Sequence, residues 1–269
     1  MPGTHDERIR DAFTRQATTF EDERLNVAFT SGLPWLLAHT DPRPGDVVLD
    51  VAAGTGMVSR ALAPGVARAV ALDSTQAMIA EGRQRIRDEG RSNVIFVAGS
   101  AERLPFADGS FTLVVTRFSL HHFADPAPAL AEIARVCAPG GRVVVKDLVA
   151  STDPEIASRQ DHIERLRDSS HLRMPARGAV PRWLRDLGLQ VDVVAERDID
   201  RPLEPWLEQS LTHAEPAARV RQAFDAELAG GEATGMWPHR RDGALWFHQR
   251  WELTVAHRLS TAAATGRDR

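Results

Sequence analysis

The 269-residue sequence has no tyrosine, one cysteine and one lysine. The lone Cys137 excludes an internal disulfide and any cysteine-built metal site. The missing tyrosine removes one residue type from the possible proton-transfer groups. Lys146 is the single lysine beside many arginines, a bias that a GC-rich coding sequence explains more simply than function does. No apolar run approaches the roughly 20 residues of a membrane span. A net charge of −4 leaves no electrostatic footprint for nucleic acid or an anionic membrane. The opening MPGTHDERIRDAFTRQ is charged throughout and lacks the apolar core of a signal peptide. These absences predict a cytoplasmic chain with neither nucleic acid nor membrane as partner, and no metal among its cofactors.

What the sequence does have, from about residue 46, is an alternation of strand-like and helix-like stretches. DVVLDV (46–51), ARAVALD (67–73), NVIFVAGS (93–100), FTLVVTRF (111–118) and RVVVKDLV (142–149) read as short strands. Helical patterns separate them, such as STQAMIAEGRQRIRDEG (74–90), which Ser74 can cap, and PAPALAEIARVCAPGG. In the latter, Leu130, Ile133, Ala134 and Cys137 share one face, and Pro139-Gly140-Gly141 stops the helix. Strands apolar on both faces with helices between them imply an α/β parallel sheet covered on both sides. Helices are expected at 154–170, 179–188, 203–213 and 215–229, and strands at 190–200 and 244–259. The N-terminal IRDAFTRQATTFEDERLN (9–26) reads as a helix carrying Phe13 and Phe20, and residues 260–269 as a disordered tail.

The chemistry concentrates in VLDVAAGTG (48–56), a strand running into a glycine turn. A dinucleotide fingerprint needs a third glycine, but Gly54 and Gly56 are followed by Met57, Val58 and Ser59. Asp50, at the strand end, would repel a pyrophosphate and can orient a cationic amino-acid moiety. Asp73 ends the second strand, where an acid can accept bonds from two ribose hydroxyls. Asp50, Asp73, Ser100 and Arg117 all fall at strand ends, where ligands of open parallel sheets bind.

Taken together, VLDVAAGTG, ALDSTQAM, GSAERLPFADGSFTLVV, TRFSLHHFADP and VCAPGGRVVV resemble the class I S-adenosylmethionine (SAM)-dependent methyltransferases. The style is that of the ubiquinone/menaquinone-biosynthesis type and its small-molecule relatives, over roughly residues 46–149. The resemblance implies a Rossmann-like, seven-stranded, mostly parallel sheet with the last strand antiparallel and helices on both faces. It also implies an N-terminal helical lid (1–45), a SAM-binding core (46–150), and helical insertions with the last two strands in 151–259. The methionyl moiety would lie against Gly54, Thr55 and Gly56, the ribose on Asp73, and the adenine near Ser74, Met78, Ser100 and Ala101. Ser100 stands where relatives usually carry Asp, and Arg117 where they commonly carry a smaller residue. The acceptor implied is a small molecule, quinol-, phenol- or polyketide-like, methylated on O, N or C by a monomer or homodimer. Rival readings are a non-methylating SAM enzyme such as a cyclase or pericyclase, a nicotinamide-dependent dehydrogenase, and a non-catalytic SAM-binding module.

Two histidines, His121 and His122, follow the fourth strand and are candidates for the base that deprotonates the acceptor. Loop packing is the competing explanation for both. Lys146 and Asp147 end the fifth strand, as an adjacent charge pair or as catalytic groups. His171, Arg173 and MWPHRRDGALWF (236–247), with Trp237, His239, Arg240, Arg241 and Trp246, could form an acceptor pocket or a surface corner.

Overall fold

The computed structural model describes residues 4–260. All seven expected strands form: β1 (Val47–Val51), β2 (Arg68–Asp73), β3 (Val94–Ala98), β4 (Phe111–Arg117), β5 (Cys137–Leu148), β6 (Leu189–Pro202) and, after a three-residue β7 (His239–Arg241), β8 (Ala244–Arg258). Their order in the sheet is β3-β2-β1-β4-β5-β8-β6, with β7 added to β8. Strands β1 to β5 pair in parallel, and β8 runs antiparallel between β5 and β6. The chain order reverses between β1 and β4, which makes their carboxyl ends the switch point of the sheet.

Nine α-helices complete the described chain, α1 (His5–Gln16), α2 (Val27–Thr40), α3 (Met57–Leu62), α4 (Gln76–Asp88), α5 (Ala127–Val136), α6 (Pro154–Arg167), α7 (Ala179–Asp186), α8 (Leu203–Gln209) and α9 (Ala214–Leu228), together with two 3-10 turns at Ala63–Gly65 and Leu120–His122. Alternate strand residues feed two cores. Leu49, Val51, Val114, Val143 and Val145 pack with Leu130 and Ile133 of α5 and with Leu184 of α7. On the opposite face Val48, Ala71, Val115 and Val144 pack with Leu36 of α2, Leu62 of α3 and Ile79 of α4. A third cluster joins Ile163 of α6, Trp206 of α8 and Phe224 of α9 to Phe247 of β8. None of the described helices is long and apolar enough to cross a membrane.

Several boundaries differ from the sequence reading. The stretch 9–26 is not one helix: α1 starts earlier, behind a Thr4–Glu7 capping box, and stops at Gln16, after which turns lead to α2. Helix α4 starts at Gln76 rather than Ser74, because the Asp73 carboxylate accepts the Thr75 amide (2.8 Å). Strand β5 begins at Cys137, since Pro139-Gly140-Gly141 forms a bulge between Phe111↔Cys137 and Leu113↔Arg142 rather than a loop. Residues 261–269 of the expected tail lie outside the described residues.

Lys146 is fully buried in the core rather than in a cleft. Its Nζ donates to the Gly32 carbonyl (3.1 Å) and lies 4.2–5.3 Å from the ring centres of Trp251, Phe118 and Trp35. Glycine is required at 32, because a Cβ there would overlap the Trp251 ring and crowd Nζ. Burial, with the Arg117 and Arg197 charges, pushes the amine down to about 6, although the ring faces favour the cation. Between that value and the ordinary ~10.4 of an unfolded lysine, the unfolded chain holds a proton that the native one lacks. Stability should therefore rise with pH across this window. Replacing the single lysine in Lys146→Met should flatten that rise and raise the denaturation midpoint near pH 7 in urea melts run from pH 6 to 10. An unchanged slope would contradict the assignment.

Candidate active site

A cleft opens at the carboxyl ends of β1, β2 and β4. On one side lie Asp50, Ala52, Ala53 and Gly54 of the turn after β1, Asp73, Ser74 and Met78 beside β2, and Ser100 and Ala101 after β3. Across from them are Arg117 at the end of β4 and His121 and His122 after it, then Glu164 and Arg167 of α6, Asp168 and His171 just beyond that helix, and Gln209 of α8. The N-terminal segment covers the opening with Ile9, Arg10, Phe13, Gln16 and Phe20.

The glycine turn is shaped by positive φ at Ala52 (55°), Gly54 (57°) and Gly56 (73°). Glycine at 56 also gives room, because a Cβ there would lie 2.6 Å from the Phe96 ring. Three amides of the turn already have acceptors: Ala53 N–H on the Leu72 carbonyl, Gly54 N–H on Asp73 Oδ2 (2.7 Å), and Gly56 N–H on the Ala53 carbonyl. A pyrophosphate would need such amides turned outward. Instead the turn presents two carboxylates. Asp50 accepts from Ser59 N–H (3.1 Å) and Ser59 Oγ–H (2.9 Å), and burial lifts its carboxyl to about 6 against those bonds and the Arg117 charge. Burial likewise raises Asp73, opposed by its bonds from Thr75 and Gly54. Burial lowers the Arg117 guanidinium to about 10, with Asp50 and Glu21 pulling the other way.

The histidine side rests on Asp147, a buried carboxylate that accepts from Ser119 N–H (3.1 Å), Leu120 N–H (2.7 Å) and Leu148 N–H (2.7 Å). It also holds Nδ1 of His121 (2.5 Å). Burial pushes the His121 imidazolium down, yet the carboxylates of Asp147, Glu164 and Asp168 outweigh it, so its pKa stands above the ordinary value. His122 moves the other way, down to about 3, through burial and the His121 charge. Its Nδ1 faces the Ser170 carbonyl (3.1 Å), which leaves a neutral ring with Nε2 as its basic atom. His171 stacks on His121 (5.2 Å between ring centres), and its Nε2 meets Asp161 Oδ1 (3.0 Å).

Of the cofactor residues named from the sequence, Asp50, Gly54, Asp73, Ser74, Met78, Ser100, Ala101 and Arg117 all line the cleft. Thr55 and Gly56 do not: Thr55 is fully buried with its hydroxyl on Glu21, and Gly56 backs onto Phe96. Arg60 anchors the same Glu21 (2.5 Å) and so holds the N-terminal segment onto the glycine turn. Arg173 is off the cleft, and 236–247 forms the β7–β8 corner rather than a cleft wall. Glu164, Arg167, Asp168 and Gln209 were not singled out in the sequence. Helix α6 reads there as a charged surface helix, and only tertiary packing turns those residues inward.

Asp73 thus orders the turn as well as facing the cleft. Asp73→Ala should lower the stability of the ligand-free protein by about 1–3 kcal/mol in urea unfolding, the cost of leaving buried amides unpaired. A variant as stable as the parent would mean the turn holds without it.

A family profile described as a methyltransferase domain matches residues 49–145. The chain is 35% identical over 163 residues to the uncharacterized methyltransferase YcgJ of Bacillus subtilis, covering 60% of this chain and 63% of that protein. It is 46% identical over 112 residues to a demethylmenaquinone methyltransferase of Beutenbergia cavernae, covering 42% and 44% respectively. The match therefore spans less than two thirds of either relative. Among solved structures, a candidate methyltransferase of Bacillus halodurans superposes with a TM-score of 0.78 at 26% identity, over 86% of this chain and all of that one. The Bacillus subtilis YcgJ structure gives 0.77 at 24% identity, over 85% and 99%, and shows the shared fold.

Proposed function

We propose that this chain, which is similar to the class I SAM-dependent methyltransferases, transfers a methyl group from SAM to a small ring-bearing acceptor in the cytoplasm. The observation that carries this reading is the polarity of the glycine turn. The amides of Ala53, Gly54 and Gly56 are spent on internal acceptors while Asp50 and Asp73 face the cleft, a setting suited to a cationic, phosphate-free cofactor. Asp73 has lone pairs left for the ribose hydroxyls, and Asp50 would attract the ammonium end. Ser74, Met78, Ser100 and Ala101 would border the adenine. Bound SAM would supply an electrophilic methyl group.

The chain's own contribution is to position the acceptor, exclude water and hold a proton. Phe13, Phe20 and Phe118 offer apolar walls, and the N-terminal segment that carries the first two would act as the lid. His121 is the base this geometry favours. Asp147 fixes its Nδ1–H, leaves Nε2 basic and stabilises the imidazolium formed when an acceptor hydroxyl gives up its proton. A base works best with a pKa near the working pH, which fits the raised His121 better than the depressed His122. His122 serves as a neutral hydrogen-bonding group beside it. The likeness to demethylmenaquinone methyltransferase supports a quinol- or phenol-like acceptor, in which loss of the hydroxyl proton activates either oxygen or the ring carbon.

Two outcomes are expected. SAM should raise the melting temperature by mass action, NADH should not, and SAM affinity measured by calorimetry should fall as pH drops through about 6, where Asp50 takes up a proton. Tight NADH binding without SAM binding would overturn the cofactor assignment. His121→Ala should lose about 10²–10⁴ in kcat with SAM affinity retained. The parent rate should climb with pH through a pKa above the ordinary ~6.5 and then level off. A His121→Ala enzyme that is destabilised but turns over at full speed would rule out His121 as the base.

A further inference from the structure

On the face of the β6–β8 arm away from the third core lies a cluster that the methyltransfer reading does not use. Among the described residues, Asp200, His239 and His248 bring three ligand atoms within 4.8 Å of one another. The register explains why. Asp200 of β6 sits directly opposite His248 of β8, and β7 brings in His239, paired with Trp246 two positions from His248. Phe247 points inward to the third core, so its neighbours Trp246 and His248 point outward. The three side chains are half-buried.

We propose that Asp200, His239 and His248 form a binding site for a divalent transition metal of the zinc class. Oδ1 of Asp200 lies 3.1 Å from His239 Nε2 and 3.6 Å from His248 Nε2. Ligand atoms about 2.0–2.1 Å from a tetrahedral zinc ion stand about 3.3 Å apart, so these two spacings fit with little movement. Despite its closeness to both rings, Asp200 Oδ1 is buried and has no hydrogen-bond partner. The ring nitrogen and the carboxylate oxygen are near but out of line for a hydrogen bond. Such an arrangement suits atoms that converge on a third body between them.

The surroundings add the support that metal-binding histidines usually have. Nδ1 of His239 faces the Trp237 carbonyl (3.3 Å), and a proton there leaves the lone pair on Nε2, facing the cluster. The His248 amide is tied to the Met236 carbonyl (2.8 Å), which fixes the strand carrying the second ligand. Arg241 pairs with Oδ2 of Asp200 and stacks on Trp246 (4.1 Å). It orients the carboxylate and leaves Oδ1 for the ion. Two imidazoles and one carboxylate select zinc, nickel or cobalt over magnesium or calcium. The ion would clip the three-residue β7 to the far halves of β6 and β8.

Tag-free full-length chain, stripped with a chelator, should be titrated with zinc chloride by calorimetry, and with cobalt(II) followed by visible absorption. One zinc per chain is expected, with a d–d band for cobalt and no response to magnesium. His239→Ala and His248→Ala should each weaken zinc binding by about 10–100-fold or more, and zinc should no longer raise their melting temperature. His213→Ala, an exposed histidine elsewhere, should bind as the parent does. Circular dichroism in chelator would show that the variants remain folded. Absence of one-to-one zinc binding, or binding unchanged in both His239→Ala and His248→Ala, would overturn the site.

Discussion

Carboxylates withdrawn from water at the ends of parallel strands impose the constraint on which the cleft is built. A buried carboxylate without donors is costly, and at this switch point the nearest donors are the amides and hydroxyls of the loops that leave the strands. Asp73 therefore takes Gly54 and Thr75, Asp50 takes Ser59, and Asp147 takes Ser119, Leu120, Leu148 and His121. Each acid fixes the loop next to it. Together they set the glycine turn, the start of α4 and the histidine loop in one frame. The same bonds dictate the electrostatics, since acids supplied with amides stay available to a cation while the amides are lost to an anion.

The acceptor side is built differently, from segments distant in sequence. Helix α6 turns Glu164, Arg167 and Asp168 toward the cleft because Gln249 of β8 donates to Glu164 (2.6 Å) and Arg167 donates to the Trp206 carbonyl (3.0 Å). Arg201 bridges Gln249 and Gln209, so a polar patch between the buried rings of β8 backs the cleft. The N-terminal segment closes the front, held by Glu21 on Arg60 and Thr55. Its anchor lies on the glycine turn itself, so cofactor site and cover are mechanically joined.

Much of this could be read from residue order, for physical reasons. The strands carry apolar side chains on both faces, and Asp50, Gly54 and Asp73 sit at fixed offsets from strand ends, so local pattern places them. Residues whose setting depends on remote partners could not be read that way. Thr55 turns inward because Glu21 waits for it, 34 positions earlier. Lys146 ends in an aromatic box contributed by Trp35 and Trp251 from opposite ends of the chain. His121 and His122 look alike in sequence, and only the side on which Asp147 lies separates them.

The most direct test of the account is to incubate the protein with SAM labelled in its methyl group and a panel of quinols and phenols, and to weigh the products. The account predicts an acceptor that has gained one labelled methyl in place of a hydrogen, with demethylated cofactor formed in equal amount and both lost in His121→Ala. An acceptor converted without change in mass while SAM stays intact would contradict methyl transfer and point to a rearrangement or cyclisation in the same cleft.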